Sequence, residues 1–468
     1  MVALTTLISL FRVGFSDVKS GYENFYLLPL SFGLVYIFCY SRLIFNKKTS
    51  PYLYAIIIIF FLRYVAYPFL VVVSGFYDNG GRNINPIPSP IYEKAIILMC
   101  YELFIYSIAI YYFERSFQKR RTMGLNLLLI NSYYSNRIYH LFFFIGTLML
   151  ILNKSWTTII FNPLQLISDD DLGSEYGTSN TMALALGNLF YVLKNVFFVA
   201  GTLFVTKLRY IKKTISAFTF WSGILVLVAF VTAFSFGLNR MKIVIMTIVS
   251  LYYVYLTLKP YMEFRLSHIA IGLSLLILPL ITLNLVTNAR NYYSTSNSWT
   301  ASKAGAIQVY LGGAHNVATC IDMNETNPDE VSLKNLAFDF VRPTLGINYL
   351  VRNSDLKYSN QLFNKHIYGN DHMAQIIPII GQGYIYFGFI LSPLIGLLFI
   401  GLAYYLLNQL YNKNNSPYFT FFLLLVIFRL ALLPGQNSMN FMNYISFNLI
   451  IIVLLELINN FDKQRRIQ

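Results

Sequence analysis

Eight side chains in this sequence are of types that do chemistry at a membrane face: Arg240, Arg290, Arg342, Arg352, His315, His372, Asp339 and Asp371. A guanidinium fork matches phosphate oxygens bidentately, so arginines at the mouth of a helix bundle can hold a phosphate or diphosphate. Arg240 lies in SFGLNRMKI, a tight turn between two apolar runs, with Lys242 close behind; Arg290, in VTNARNYY, closes a later apolar run. Each reads equally as a cation snorkelling to the interface. Arg342 and Arg352 flank VRPTLGINYLVR, with Asp339 just ahead. They complete a cationic pocket or line a solvated amphipathic face. His315 follows Gly312-Gly313, where backbone can approach a ligand closely. An imidazole titrates near working pH, which makes His315 a candidate general base, or else a packed helix histidine. Asp371 and His372, just ahead of the next membrane segment, are the alternative base.

No Walker loop, dinucleotide fingerprint or HExxH motif occurs, and His315, His366 and His372 lack metal-ligand spacing. Neither a metal nor a cofactor is expected. The triplet Asp169-Asp170-Asp171 reads as a solvated acidic loop rather than a metal-bound sugar-nucleotide site. In GQGYIYFG, residues 381–388, the glycines suggest a close helix approach or a ligand-lined cavity.

The elements that must position these groups are membrane helices. The chain is 56% hydrophobic and 12% charged, with a mean hydropathy of +0.55, against roughly 25% charged in ordinary soluble domains. The fold expected is an all-α polytopic membrane protein. Apolar runs at 24–44, 52–75, 91–113, 138–156, 181–206, 215–236, 241–258, 266–287, 384–407, 417–434 and 440–459 give about eleven spans by the usual length of about 20 residues. The run at 1–16 is an interfacial helix or a short twelfth span; with no basic stretch ahead of it and no small-residue cleavage site, it does not read as a cleaved signal.

The net charge of +15 comes from Lys and Arg in short loops between spans, which is the positive-inside pattern and not a nucleic-acid groove. It puts the C-terminus in the cytoplasm and residues 288–373 outside. The chain thus divides into an N-terminal bundle, 1–287, an extracytoplasmic loop or cap, 288–373, and C-terminal helices, 374–468. Within the cap, Ser302 to Met323 and Ser332 to Arg352 carry amphipathic spacing. Cys39, Cys100 and Cys320 form no disulfide framework. Inspection finds no internal repeat, which counts against an inverted-repeat transporter.

The layout of about a dozen spans with a large late outer loop, the G-x-N-R turn at 237–240, and GxGYxYFG leading into the next span resemble the Wzy-type oligosaccharide repeat-unit polymerases of O-antigen, common-antigen and capsule synthesis. The family's turn is closer to G-S-R-G; here Asn239 and Met241 replace the serine and second glycine, while Arg240 is kept. The resemblance implies a bacterial inner-membrane glycosyltransferase, independent of metal and nucleotide, that joins undecaprenyl-diphosphate-linked repeat units at the outer face. It implies that Arg240 and Arg290, helped by Arg342 or Arg352, neutralise the leaving diphosphate, and that His315, Asp339, Asp371 or His372 deprotonates the acceptor. Besides the lipid-linked glycans and the bilayer, a chain-length regulator and a flippase are candidate partners. A glycan ligase using the same donor, and a transporter or flippase, are the rival readings.

Overall fold

The computed structural model describes residues 2–46, 48–79, 81, 83–121, 137–152, 181–233, 240–262, 299–344, 346–347, 350–351, 354–369, 375–412 and 415–465. Among these residues every regular element is a helix. Six helices are long and apolar enough to cross a membrane, and six shorter apolar ones accompany them. The protein is an all-α polytopic membrane protein, as its hydropathy requires. Large apolar side chains on its surface, such as Phe38, Ile58, Phe104, Ile108 and Phe144, suit contact with lipid.

In chain order the helices are α1 (Val2–Gly14), α2 (Leu27–Ile44), α3 (Pro51–Ser74), α4 (Ser89–Arg120), α5 (Arg137–Leu152), α6 (Thr181–Thr206), α7 (Ala217–Ala233), α8 (Arg240–Leu258), α9 (Trp299–Leu311), α10 (Ala314–Thr326), α11 (Leu333–Val341), α12 (Ser359–Tyr368), α13 (Ile379–Leu391), α14 (Leu394–Asn412), α15 (Pro417–Leu430) and α16 (Ser438–Arg465). They fall into two compact units. The first comprises Met1–Thr122, Thr295–Asn412 and Val426–Ser446; the second comprises Met123–Ser294, Lys413–Leu425 and Phe447–Gln468.

Proline and glycine set the breaks. In α3, Pro68 has no N–H to give the carbonyl four residues back. The helix widens to a π turn at Leu62–Ala66, closed by Tyr67 N–H on the Leu62 carbonyl, and the widened turn holds Arg63. The stretch Ser302 to Met323, expected as one amphipathic element, is two helices, because Gly312 takes φ +63° between α9 and α10. The expected span 384–407 is likewise divided. Gly388 at φ +69° turns the chain inside α13, and Ser392 and Pro393 separate it from α14. Among the described residues of Ser332 to Arg352, the α-helix is Leu333–Val341, with Arg342 as its C-cap and Pro343 next. The expected span 266–287 lies outside the described residues.

The structure also corrects one sequence expectation, because the chain does contain an internal repeat. Residues 46–68 and 412–434 align without a gap. Asn46, Lys47, Ser50, Pro51, Tyr52, Arg63 and Pro68 match Asn412, Lys413, Ser416, Pro417, Tyr418, Arg429 and Pro434, and apolar residues fill nearly all the rest. Local geometry repeats with the sequence. In the first unit, Ser50 begins α3 and gives its backbone N–H (2.8 Å) and hydroxyl (2.6 Å) to the buried Glu114 carboxylate, which also accepts from Tyr404 (3.0 Å). In the second, Ser416 begins α15 and gives the same two groups to Glu456, which also accepts from Tyr139 (2.6 Å). The repeat's own tyrosine packs on that partner tyrosine in both copies, Tyr52 on Tyr404 and Tyr418 on Tyr139. A carboxylate at a helix N-terminus satisfies orphan N–H groups and opposes the helix dipole. Each copy therefore begins its helix with the same device.

Candidate functional site

Polar side chains of the first unit gather around α10, whose residues from Ala314 to Met323 are all buried. Its longest neighbour is α4. His315 meets Tyr92 of α4 through Nδ1 (3.0 Å) and Asn83 Oδ1 through Nε2 (3.1 Å). A neutral imidazole with its proton on Nε2 satisfies both bonds, since Nε2–H donates to Asn83 and Nδ1 accepts from the Tyr92 hydroxyl. Both ring nitrogens are thereby occupied within the fold.

Two turns further along α10, Asp322 meets His366 of α12, Oδ2 to Nε2 at 2.8 Å. The side chains keep 9% and 12% of their surface exposed, so the pair lies at the edge of the packed cluster and within reach of solvent. With Nε2–H held by the carboxylate, the lone pair resides on Nδ1, the arrangement in which an oriented imidazole accepts a proton. Lys94 of α4 pairs with Glu325 on the last turn of α10 (2.5 Å) and stands over the Tyr384 ring of α13.

Asp339 of α11 is fully buried. It accepts from the Ser359 backbone N–H (3.1 Å), the Ser359 hydroxyl and Gln382 Nε2 (2.7 Å). Gln382 in turn bonds Ser438 through its hydroxyl (2.7 Å) and backbone N–H (2.9 Å). One carboxylate thus joins the starts of α12, α13 and α16. Burial raises its pKa to about 6, partly offset by the bonds from Ser359 and Gln382.

The glycine motif is explained by packing. Gly381 lies directly against Cys320 of α10, and Gly383 against the Ser392 backbone carbonyl, with no room for a Cβ at either. The close helix approach expected from GQGYIYFG is present, and it brings α13 onto the helix that carries His315 and Asp322.

Of the residues nominated from sequence, His315 and Asp339 are both in this first unit, each saturated with hydrogen bonds. Arg342 is half-buried just past α11, near enough to Tyr358 for its charge to be felt there. Arg240 is the first residue of α8 in the second unit. Arg290, Arg352, Asp371 and His372 lie outside the described residues. The described residues hold no cluster of His, Cys, Asp and Glu fit for a metal ion.

Sequence reading overlooked the Asp322–His366 dyad. The two residues lie on different helices and share no short spacing, so only the tertiary contact joins them. Nor does spacing announce the fully buried ion pair of Arg63 and Glu102, Nη1 to Oε2 at 2.6 Å. Comparison with known protein families, characterised proteins and solved structures finds no match to this chain.

Proposed function

We propose that this protein is a glycosyltransferase that joins lipid-diphosphate-linked oligosaccharide repeat units into a surface polysaccharide at the outer face of a bacterial inner membrane. The observation that carries the reading is the Asp322–His366 dyad, placed on α10 beside the helix that contains GQGYIYFG. In this mechanism His366 Nδ1 takes the proton of the acceptor hydroxyl while its oxygen forms a bond to the donor's anomeric carbon. The bond from that carbon to the diphosphate breaks, and the lipid diphosphate leaves with the electron pair. Asp322 holds the ring and stabilises the imidazolium formed. Arginine guanidinium groups would oppose the charge developing on the diphosphate, with Arg342 the candidate in this unit and Arg240, Arg290 and Arg352 those assigned by the resemblance.

Glycan length in a strain lacking the protein tests this. Complementation with wild type restores long chains; His366→Ala and Asp322→Asn, inserted at wild-type levels, leave single repeats on the carrier. Long chains that accumulate on the carrier without reaching their acceptor would instead make the protein a ligase.

A second reading is transport of a lipid-linked substrate. It draws support from the internal repeat, because apolar segments interrupted at corresponding positions, here at Arg63–Pro68 and Arg429–Pro434, are a feature of transporters. Unchanged glycan length in the deletion strain would put it first.

A further inference from the structure

Arg63 sits in the apolar middle of α3, about 16 Å of helix before Ser74, in a bilayer whose hydrocarbon core is about 30 Å thick. Its Nη1 binds Glu102 of α4, and its Nε donates to the Gly312 carbonyl at 2.9 Å. Tyr64 gives its hydroxyl to the same Glu102 oxygen (3.0 Å).

The path of α9 along α3 is clear from its partners. Gly305 lies on Phe76, just past the end of α3; Gln308 accepts from Tyr67; Gly312 meets Arg63. So α9 descends beside α3. Helix α10 leaves in another direction. His315 and Glu325, about 15 Å apart on α10, meet Tyr92 and Lys94, two neighbours on α4. It therefore crosses α4 instead of following it.

At the turn, a side chain at Gly312 would lie 2.6 Å from Pro378 and 2.9 Å from the Pro434 carbonyl, and Gly435 is pressed on the Tyr310 carbonyl. Pro434 closes the second copy of the repeat, and Gly435 follows it. There Arg429 holds Gln436 at 2.7 Å, and Gln436 holds the Gly435 carbonyl at 3.0 Å.

We infer that the α9–α10 turn is a re-entrant element seated inside the membrane, and that the two arginines of the duplicated segment are its positioning residues. Arg63 holds it directly, and Arg429 holds the Leu433–Gly435 break on which it rests. Irregular backbone at membrane depth requires its polar groups to be satisfied by protein. Arg63 supplies the donor for Gly312, and the Tyr67 hydroxyl lies against the backbone amides of Ala314 and His315 that open α10. The seat fixes α10, and with it His315 and Asp322. In that consequence the inference rests on the glycosyltransferase reading; the seat itself does not.

The native Cys320, fully buried on α10, reports on the seat. In the full chain with Cys39 and Cys100 changed to Ser, purified in detergent micelles, its labelling by a hydrophilic maleimide is followed beside thermal unfolding. Arg63→Lys keeps a cation for Glu102 but cannot reproduce the fork that also reaches Gly312. Arg63→Lys and Gly312→Ala should label Cys320 at least about tenfold faster than wild type through local opening, with Arg429→Lys in the same direction. Glu114→Gln, at the far end of α3, should leave Cys320 as slow as wild type. A wild-type rate in Arg63→Lys, or equal acceleration by Glu114→Gln, overturns the inference. If labelling follows the expected order but the same variants still restore full-length glycan to the deletion strain, the seat stands and its role in fixing the site fails; glycan unchanged in the deletion strain itself would sink the glycosyltransferase reading and leave the seat untouched.

Discussion

Asp339 gives the fold a calculable dependence on pH. It is buried with three donated hydrogen bonds, and desolvation outweighs them, raising its pKa from 3.8 to about 6. The folded state therefore binds the proton more tightly than the unfolded chain. The resulting stability is fully present below about pH 4 and is lost as pH rises through about 6. At about 1.4 kcal/mol per pKa unit, the change across that window is on the order of 3 kcal/mol. Asp339→Asn removes the titration. An asparagine can still accept the Ser359 N–H and donate to the Ser359 hydroxyl, while Gln382 keeps Ser438. The assay is reversible unfolding in mixed micelles, wild type against Asp339→Asn, from pH 4.5 to 8. Relative to the variant, wild type should lose stability as pH rises, most steeply near pH 6. A pH-independent difference would refute the reasoning because it means an unshifted carboxyl, and one that favours wild type increasingly at high pH because it means a carboxylate stabilised as the anion.

Two further substitutions test the packing. Gly383→Ala should prevent assembly of α13, because its Cβ has no room beside the Ser392 carbonyl, whereas Gly401→Ala, whose nearest neighbour is Phe113 at 4.0 Å, should be tolerated; yield of monodisperse protein in detergent separates them. Glu114→Gln and Glu456→Gln should each cost about 1–3 kcal/mol by leaving donors unmatched. If the repeated device is equivalent in its two copies, the two losses in unfolding free energy should be alike and should add in the double variant; strongly unequal losses would mean that the resemblance is geometric only.

What the sequence made legible was governed by composition and local rules. Hydropathy alone required a polytopic helical bundle, and the glycines of GQGYIYFG announced close helix contact, which Gly381 and Gly383 make. Helix continuity was harder to read. The apolar run at 384–407 looks like one span, because its break depends on the backbone of Gly388 and on Ser392-Pro393, not on polarity. The repeat escaped inspection because its few identities are spread over a stretch in which any apolar residue serves. The matching Ser50–Glu114 and Ser416–Glu456 caps revealed it. Pairings such as Asp322–His366 and Arg63–Glu102 have no signature in sequence at all, since each joins two different helices with no fixed spacing between the partners.

The central claim is tested most directly by reconstitution. The purified chain is placed in liposomes with a lipid-diphosphate-linked repeat unit, and glycan length and released lipid diphosphate are measured together. Longer glycans formed with one lipid diphosphate released per linkage, and neither product with His366→Ala, is the result expected. Repeat units that cross the bilayer unchanged in length, with no lipid diphosphate released, would contradict it.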